Sequence, residues 1–143
     1  MANYTLNFDG SCGPKNPGGT AAYGFVLRDI SNPASPTTGN GVIGTGPGMS
    51  NNLAEFVALA KGLIAYETVA NRGDFLQVRG DSKLVIQVMN RKWRASSDKL
   101  YYEGYVLANE LLINIRAKGV TVHFDHVYRE MNQECDDLSK EHR

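Results

Sequence analysis

Two hydrophobic periods alternate along this chain, and their order limits its fold more than any other feature. Near the N-terminus, Tyr4, Leu6 and Phe8 alternate with Thr5 and Asn7, the period of a half-buried strand over about residues 3–8. Thr20–Asp29 and Gly41–Gly46 read as two further strands, separated by Ser31–Gly41, which is loop-like in its Pro, Ser, Asn and Gly content. Short connections predict that these three form an antiparallel meander. From Asn51 the period lengthens. Leu53, Phe56, Val57, Ala60, Leu63 and Ile64 recur at helical spacing, Asn52-x-x-Glu55 has the spacing of a capping box, and Gly73 is placed to end the helix. A strand at Phe75–Asp81, a short helix at Ser82–Asn90 and a longer helix at Ser97–Gly119 follow. A strand at Val120–Val127 and a terminal helix capped by Asn132 complete the chain.

Strands joined through helices run parallel with right-handed crossovers. The order β-β-β-α-β-α-α-β-α therefore predicts an α/β fold. Its five-stranded mixed sheet has the first, fourth and fifth strands parallel and helices on both faces. A length of 143 residues points to one domain, residues 1–143. In open α/β sheets of this kind, sites form outside the carboxyl ends of the parallel strands.

Four acids fall at that edge. Asp9 is expected to end the first strand, with Gly10 and Gly13 turning the chain after it. Asp81 ends the fourth strand. Glu55 lies in the first turn of the first helix and Asp136 in the first turn of the last. Each has a bland reading: an Asp-Gly turn for Asp9, half a capping box for Glu55, a helix N-cap for Asp81, a dipole partner for Asp136 and its neighbour Asp137. Converging without basic partners nearby in sequence, the four would repel one another and need cations. All-oxygen donors favour Mg²⁺ or Mn²⁺. Such clusters typically hold two ions about 3.5–4 Å apart for in-line phosphodiester displacement.

The segments "FDGSCGPKNPGG", "SNNLAEFVALAKGL", "GDSKLVIQVMN" and "HVYREMNQECDDLSK" occur in this order along nearly the whole chain. In them the chain resembles type 1 ribonuclease H, in particular compact bacterial and archaeal-like members. The resemblance implies the ribonuclease H-like fold and Mg²⁺-dependent endonucleolysis of the RNA strand of RNA–DNA hybrids, with two ions per site and Mn²⁺ as a substitute. It implies that Asp9, Glu55, Asp81 and Asp136 are the catalytic metal ligands, with Asp9 shared between the ions. Asp136 would serve the ion that activates water, and Glu55 and Asp81 the ion facing the leaving 3′-oxygen. The products would carry 5′-phosphate and 3′-hydroxyl ends. Recognition of the RNA ribose, which requires contact with the 2′-hydroxyl, would fall to Cys12, Gly13, Asn52 and Glu55. Asn16, Ser50 and Asn51 would serve the DNA strand and phosphates, with turn formation and helix capping as their structural alternative. In "NRKWRASSDK", Trp93 between Arg91, Lys92 and Arg94 suits a phosphate track with a flat packing face, against the alternative of a core anchor in an inter-helix turn.

The chain departs from the family in two places. The segment between the middle helices is short and lacks the fuller basic protrusion, so weaker, salt-dependent hybrid affinity is expected. The loop "YREMN" before Asp136 holds no histidine, where many members carry one; Arg129 and Glu130 are the candidates for its part. His123 and His126, three apart on one strand, point to opposite faces, and His142 sits in the tail.

Lys+Arg and Asp+Glu are both 15, giving a net charge of +0. This excludes a general basic field and leaves nucleic-acid contact to local patches. No apolar run reaches membrane-spanning length, and the first strand begins almost at once, so neither a signal peptide nor a preceding hybrid-binding module is expected. Cys12 and Cys135 do not make a disulfide framework. Each neighbours a proposed ligand and the two could approach, but free thiols in a reducing cytoplasm are the expectation, in a monomer. Two other functions fit parts of this pattern: a non-catalytic hybrid-binding module, and another ribonuclease H-superfamily nuclease such as a transposase or junction resolvase. Intact, mutually repelling acids speak against the first. The Asp-Gly-Ser segment and the Asn-Asn-x-x-Glu helix speak against the second.

Overall fold

The first strand, β1 (Asn3–Gly13), runs well past Phe8. It has two partners that end at different places. The computed structural model, which describes residues 1–141, pairs β1 in parallel with β4 (Phe75–Gly80) only as far as Phe8 opposite Gly80. The antiparallel pairing with β2 (Thr20–Asp29) continues to Gly13 opposite Thr20. Asp9 is thus the first β1 residue beyond the parallel ladder, within a continuing strand. The predicted turn at Gly10 and Gly13 is replaced by extended chain, because β2 keeps satisfying the backbone groups there.

β3 (Thr37–Thr45) also starts earlier than predicted. Thr37 and Thr38 pair with Leu27 and Val26, so the loop narrows to residues 31–36. Their branched side chains suit a pleated surface in spite of the polar composition around them. β5 (Thr121–His126) lies parallel to β4, and among the described residues the sheet order is β3-β2-β1-β4-β5. The meander and the three parallel strands are as expected.

α1 (Asn51–Glu67) covers one face, together with α2 (Lys83–Met89) and α3 (Tyr102–Ala117); α4 (Gln133–Lys140) packs on β1 and β2 from the other face. Leu6 and Phe8 of β1 are fully buried with Phe56, Leu59 and Leu63 of α1. Phe56 stacks on Tyr101 at 5.2 Å between ring centroids and meets Tyr105 edge-on at 5.9 Å, which joins α1 to α3. The predicted start of that third helix at Ser97 moves to Tyr102, and Ser96 donates its amide to the Tyr101 hydroxyl in the turn before it.

Two caps differ from prediction. Ser50, not Asn52, caps α1, its hydroxyl accepting from the Leu53 amide. Glu55 consequently lies beyond the first turn. Gly73 does not end the helix, which stops at Glu67; at φ +90° it serves the connection to β4, donating its amide to the Gly119 carbonyl. Buried Asp74 follows. It accepts from the Tyr66 hydroxyl and from the amides of Asn71 and Ala2, tying the N-terminus to the base of the sheet.

Candidate active site

Sheet and helices deliver the four acids from four separate segments. β1 carries Asp9 where its parallel ladder stops. Asp81 follows the last residue of β4. Ser82 caps α2 by accepting from the Val85 amide, so Asp81 is not the cap and its carboxylate is free for the site. Glu55 hangs from the second turn of α1 and accepts from the Gly10 amide at 2.7 Å instead of closing a capping box. Asp136 stands in the first turn of α4.

Two glycines bring these segments within reach. A Cβ on Gly10 would lie 2.2 Å from the Ala54 carbonyl carbon and 2.3 Å from the Glu55 nitrogen. A Cβ on Gly24, which pairs with Asp9 across the ladder, would lie 2.7 Å from the Cys135 carbonyl oxygen. No L side chain other than hydrogen fits either gap. α1 and α4 therefore close on opposite faces of β1 around Asp9.

One carboxylate oxygen each from Asp9, Glu55 and Asp81 lie within 4.8 Å of one another. Asp136 lies outside that trio and joins it through the interaction of its carboxyl with that of Asp9. Burial, the Asp81 charge and the Asp136 carboxyl push the Asp9 carboxyl up to about 8. Burial and the charges of Asp9 and Asp81 hold Glu55 well above the usual carboxylate range, against the opposing bond from Gly10. Asp136 goes the other way. Burial raises it, but the contacts with Asp9 and Lys140 outweigh that and lower it.

Basic partners do exist, contrary to the sequence-based expectation. Lys140 Nζ stands 3.3 Å from Asp136 Oδ2, one helical turn away, and Arg129 Nε stands 3.8 Å from Asp81 Oδ2. They leave the cluster short of positive charge. Asp81 Oδ2 is buried with no hydrogen-bond partner among the described residues. A buried acceptor without a donor and three converging carboxylates fit a hard divalent cation held by Asp9, Glu55 and Asp81.

A family model described as reverse transcriptase-like matches residues 7–142, a span that includes all four acids. The chain belongs to this family. The type 1 ribonuclease H resemblance read from its motifs holds as well. The chain is 29% identical to RNase H1 from the halophilic archaeon Halobacterium salinarum, with 97% of this chain and 96% of that one covered and a TM-score of 0.78. The N-terminal RNase H domain of a Mycobacterium tuberculosis protein, 23% identical, shares the fold at a TM-score of 0.82 over 99% of this chain and 93% of that one. LC11-RNase H1, solved in complex with RNA/DNA hybrid, shares it at 22% identity and a TM-score of 0.79, with 96% and 94% covered.

Within this family fold, the other expected contact residues lie along one cavity, at the start of α1 where Asn51 stands, and inside β1. Asn16, Ser50, Asn52 and Trp93 line one cavity of about 660 Å³, together with Arg94 and Lys99. Ser50 and Asn16 also have structural work there: Ser50 caps α1, and Asn16 Oδ1 accepts from the Asn51 amide. Trp93 is 45% exposed, which removes the core-anchor alternative. Arg91 is tied to α3 through Tyr105 and Asn109, while Arg94 and Lys99 are the cations that line this cavity with the ring. Cys12 and Gly13 lie inside β1, with the Cys12 thiol donating to the Lys15 carbonyl.

Ser11 faces α4 through its bond to the Ser139 carbonyl, so Cys12 projects to the other face from Cys135 of α4. Both thiols are free, and burial pushes that of Cys135 up. His126 places Nε2 3.2 Å from the Asp81 carbonyl oxygen, while His123 packs against Phe75. His142 lies outside the described residues.

Sequence reasoning missed Asn132 as a site-building residue. It precedes α4 but makes no side-chain cap. Its amide donates to the Phe8 carbonyl at 2.8 Å and its Oδ1 accepts from Asn7, which fixes the start of α4 against β1 beside Asp9. A polar residue before a helix signalled a cap; its partners 124 and 125 residues away had no local signal.

Proposed function

We propose that this chain is an endoribonuclease that hydrolyses the RNA strand of RNA–DNA hybrids, leaving 5′-phosphate and 3′-hydroxyl ends. The reading is carried by the grouping of Asp9, Glu55 and Asp81 around a buried carboxylate oxygen that accepts no hydrogen bond among the described residues, at the edge where a ribonuclease H-like sheet opens. Two Mg²⁺ ions, with Mn²⁺ as substitute, would supply Lewis-acid stabilisation of the phosphorane-like charge and an ionised water at neutral pH.

This chain's residues do the positioning. Asp9 would be the ligand common to both ions, which explains why it sits deepest, between α1 and α4. Asp136 serves the side of the attacking water, and Lys140 holds its carboxylate ionised. Glu55 and Asp81 serve the side of the departing 3′-oxygen, and the Gly10 amide fixes Glu55. Cys12, Gly13, Asn52 and Glu55 would face the RNA ribose. The cavity of Asn16, Ser50 and Trp93, with Asn51 at its helix start, would take the DNA strand. We place the protein in the reducing cytoplasm as a monomeric domain, in keeping with its two free thiols. Among the described residues no helix is long and apolar enough to cross a membrane.

The deciding experiment compares cleavage of RNA–DNA hybrid, double-stranded RNA and single-stranded RNA in Mg²⁺ and in Mn²⁺, with end-group analysis of the products. Hybrid-selective cleavage is expected. Tight hybrid binding without cleavage in either metal overturns the catalytic reading in favour of a binding module.

A further inference from the structure

On the side of α2 away from the Trp93 cavity, a second groove of about 360 Å³ runs between α2 and the edge strand β5. Lys83, Gln87 and Lys92 form one wall, and His126 stands on the other. Lys83 and Gln87, four residues apart, lie along one side of α2, and Lys92 follows just beyond the end of that helix at Met89. Asn90 closes the floor by donating to the Phe124 carbonyl. Among the described residues neither lysine is in an ion pair. The carboxylate in the lining, Asp125, is engaged as acceptor by the Gln77 amide.

This groove opens at the acidic cluster. Lys83 is two residues beyond Asp81, and the His126 ring that walls the groove also reaches the Asp81 carbonyl. Tyr128 meets that ring edge-on at 6.0 Å and is 70% exposed. Unpaired lysines in a groove whose His126 wall carries an exposed aromatic are the pairing that single nucleic-acid strands select: point charges for phosphates, a flat face for a sugar or base.

We propose that this groove binds the phosphodiester backbone of the cleaved RNA strand, on the flank of the scissile phosphate opposite the Trp93 cavity, with Lys83 and Lys92 on successive phosphates and Tyr128 against the intervening nucleoside. The proposal rests on the nuclease reading above and adds a contact surface that the motifs do not mark. It divides the strands between the two sides of α2, the DNA strand toward Trp93 and the RNA strand toward β5.

The test is hybrid binding by fluorescence anisotropy in EDTA, measured between about 50 and 200 mM salt, for the parent and for Lys83→Gln/Lys92→Gln. Loss of two phosphate contacts should make the slope of log K against log salt shallower by about 1.5. Lys118→Gln, whose lysine pairs with Glu67, should leave the slope unchanged. Single uncharged methylphosphonate linkages scanned along each strand then locate the contact. In the parent, penalties should appear on one flank of the cleavage point in the RNA strand and vanish in the double variant. An unchanged slope, or penalties that persist in the variant or fall only on the DNA strand, overturns the groove while leaving the nuclease reading intact. A parent that neither binds nor cleaves the hybrid overturns both. Unchanged thermal unfolding of the double variant checks that its fold is preserved.

Discussion

Replacing Gly10 by alanine should damage the site without touching a carboxylate. The added methyl carbon would sit 2.2 Å from the Ala54 carbonyl carbon, where ordinary contact begins at 3.4 Å. The obstacle is helix backbone, which has no rotamer to yield. α1 must therefore retreat from β1 by roughly 1 Å, a gap at which dispersion contacts lose up to about half of their attraction. Gly10 does not lie at positive φ, so the whole effect is steric. Overpacking of this kind costs about 2–3 kcal/mol. For a chain of this length that lowers Tm by roughly 6–10 °C. The same movement carries Glu55 out of reach of the Gly10 amide and away from Asp9 and Asp81. A 1 Å misplacement of a catalytic group costs on the order of 10²-fold in rate. Thermal unfolding and hybrid cleavage would be measured side by side with Gly48→Ala, where an added Cβ meets nothing within 4 Å and stability should change by less than about 0.5 kcal/mol. A Gly10→Ala protein with Tm within about 2 °C of the parent and undiminished cleavage would refute the idea that this contact sets the site.

Asp9→Asn should abolish hybrid cleavage and, without metal at neutral pH, raise Tm, because folding no longer has to protonate a carboxyl that burial and Asp81 push up to about 8; the rise in Tm on adding Mg²⁺ should shrink with it, where the parent gains about 2.7 kcal/mol at a hundred times Kd. Asp74→Asn should destabilise by about 1–3 kcal/mol, since a carboxylate accepting from Tyr66, Asn71 and Ala2 becomes an amide with one acceptor. The folded-state pKa of Asp74 is lowered: burial raises it, but the three donors outweigh burial. Its stabilisation is thus fully present above the unfolded value of 3.8 and lost as pH falls through the folded value. The difference in stability between parent and Asp74→Asn should accordingly narrow below about pH 4 in acid unfolding curves. Trp93→Ala should weaken hybrid binding by about 1–3 kcal/mol with Tm nearly unchanged, because the ring is half exposed; equal binding by the two proteins would remove the cavity from the substrate path.

Much of this protein is written locally. The alternation at Tyr4, Leu6 and Phe8 and the helical period from Leu53 to Ile64 are set by which face each side chain must bury, so element types and parallel pairing follow from the sequence. The approach of Asp9, Glu55 and Asp81 to one edge was legible for the same reason, since the topology assigns that edge to the segments carrying them, although Asp9 lies within a continuing strand and Glu55 in a second helical turn. The tertiary structure decided what depends on partners distant in the chain. β1 continues past Asp9 because β2 pairs with it there. Gly10 is a gap for α1 and not a turn. Glu55 answers the Gly10 amide and Asn132 the Phe8 carbonyl, although their positions read as caps. Lys140 and Arg129 meet Asp136 and Asp81 only once α4 and its preceding turn have docked. Local sequence fixes a backbone's period and a helix's ends. The direction of a polar side chain is fixed by whichever buried donor or acceptor would otherwise go unpaired, and that partner exists only after the sheet and helices have closed.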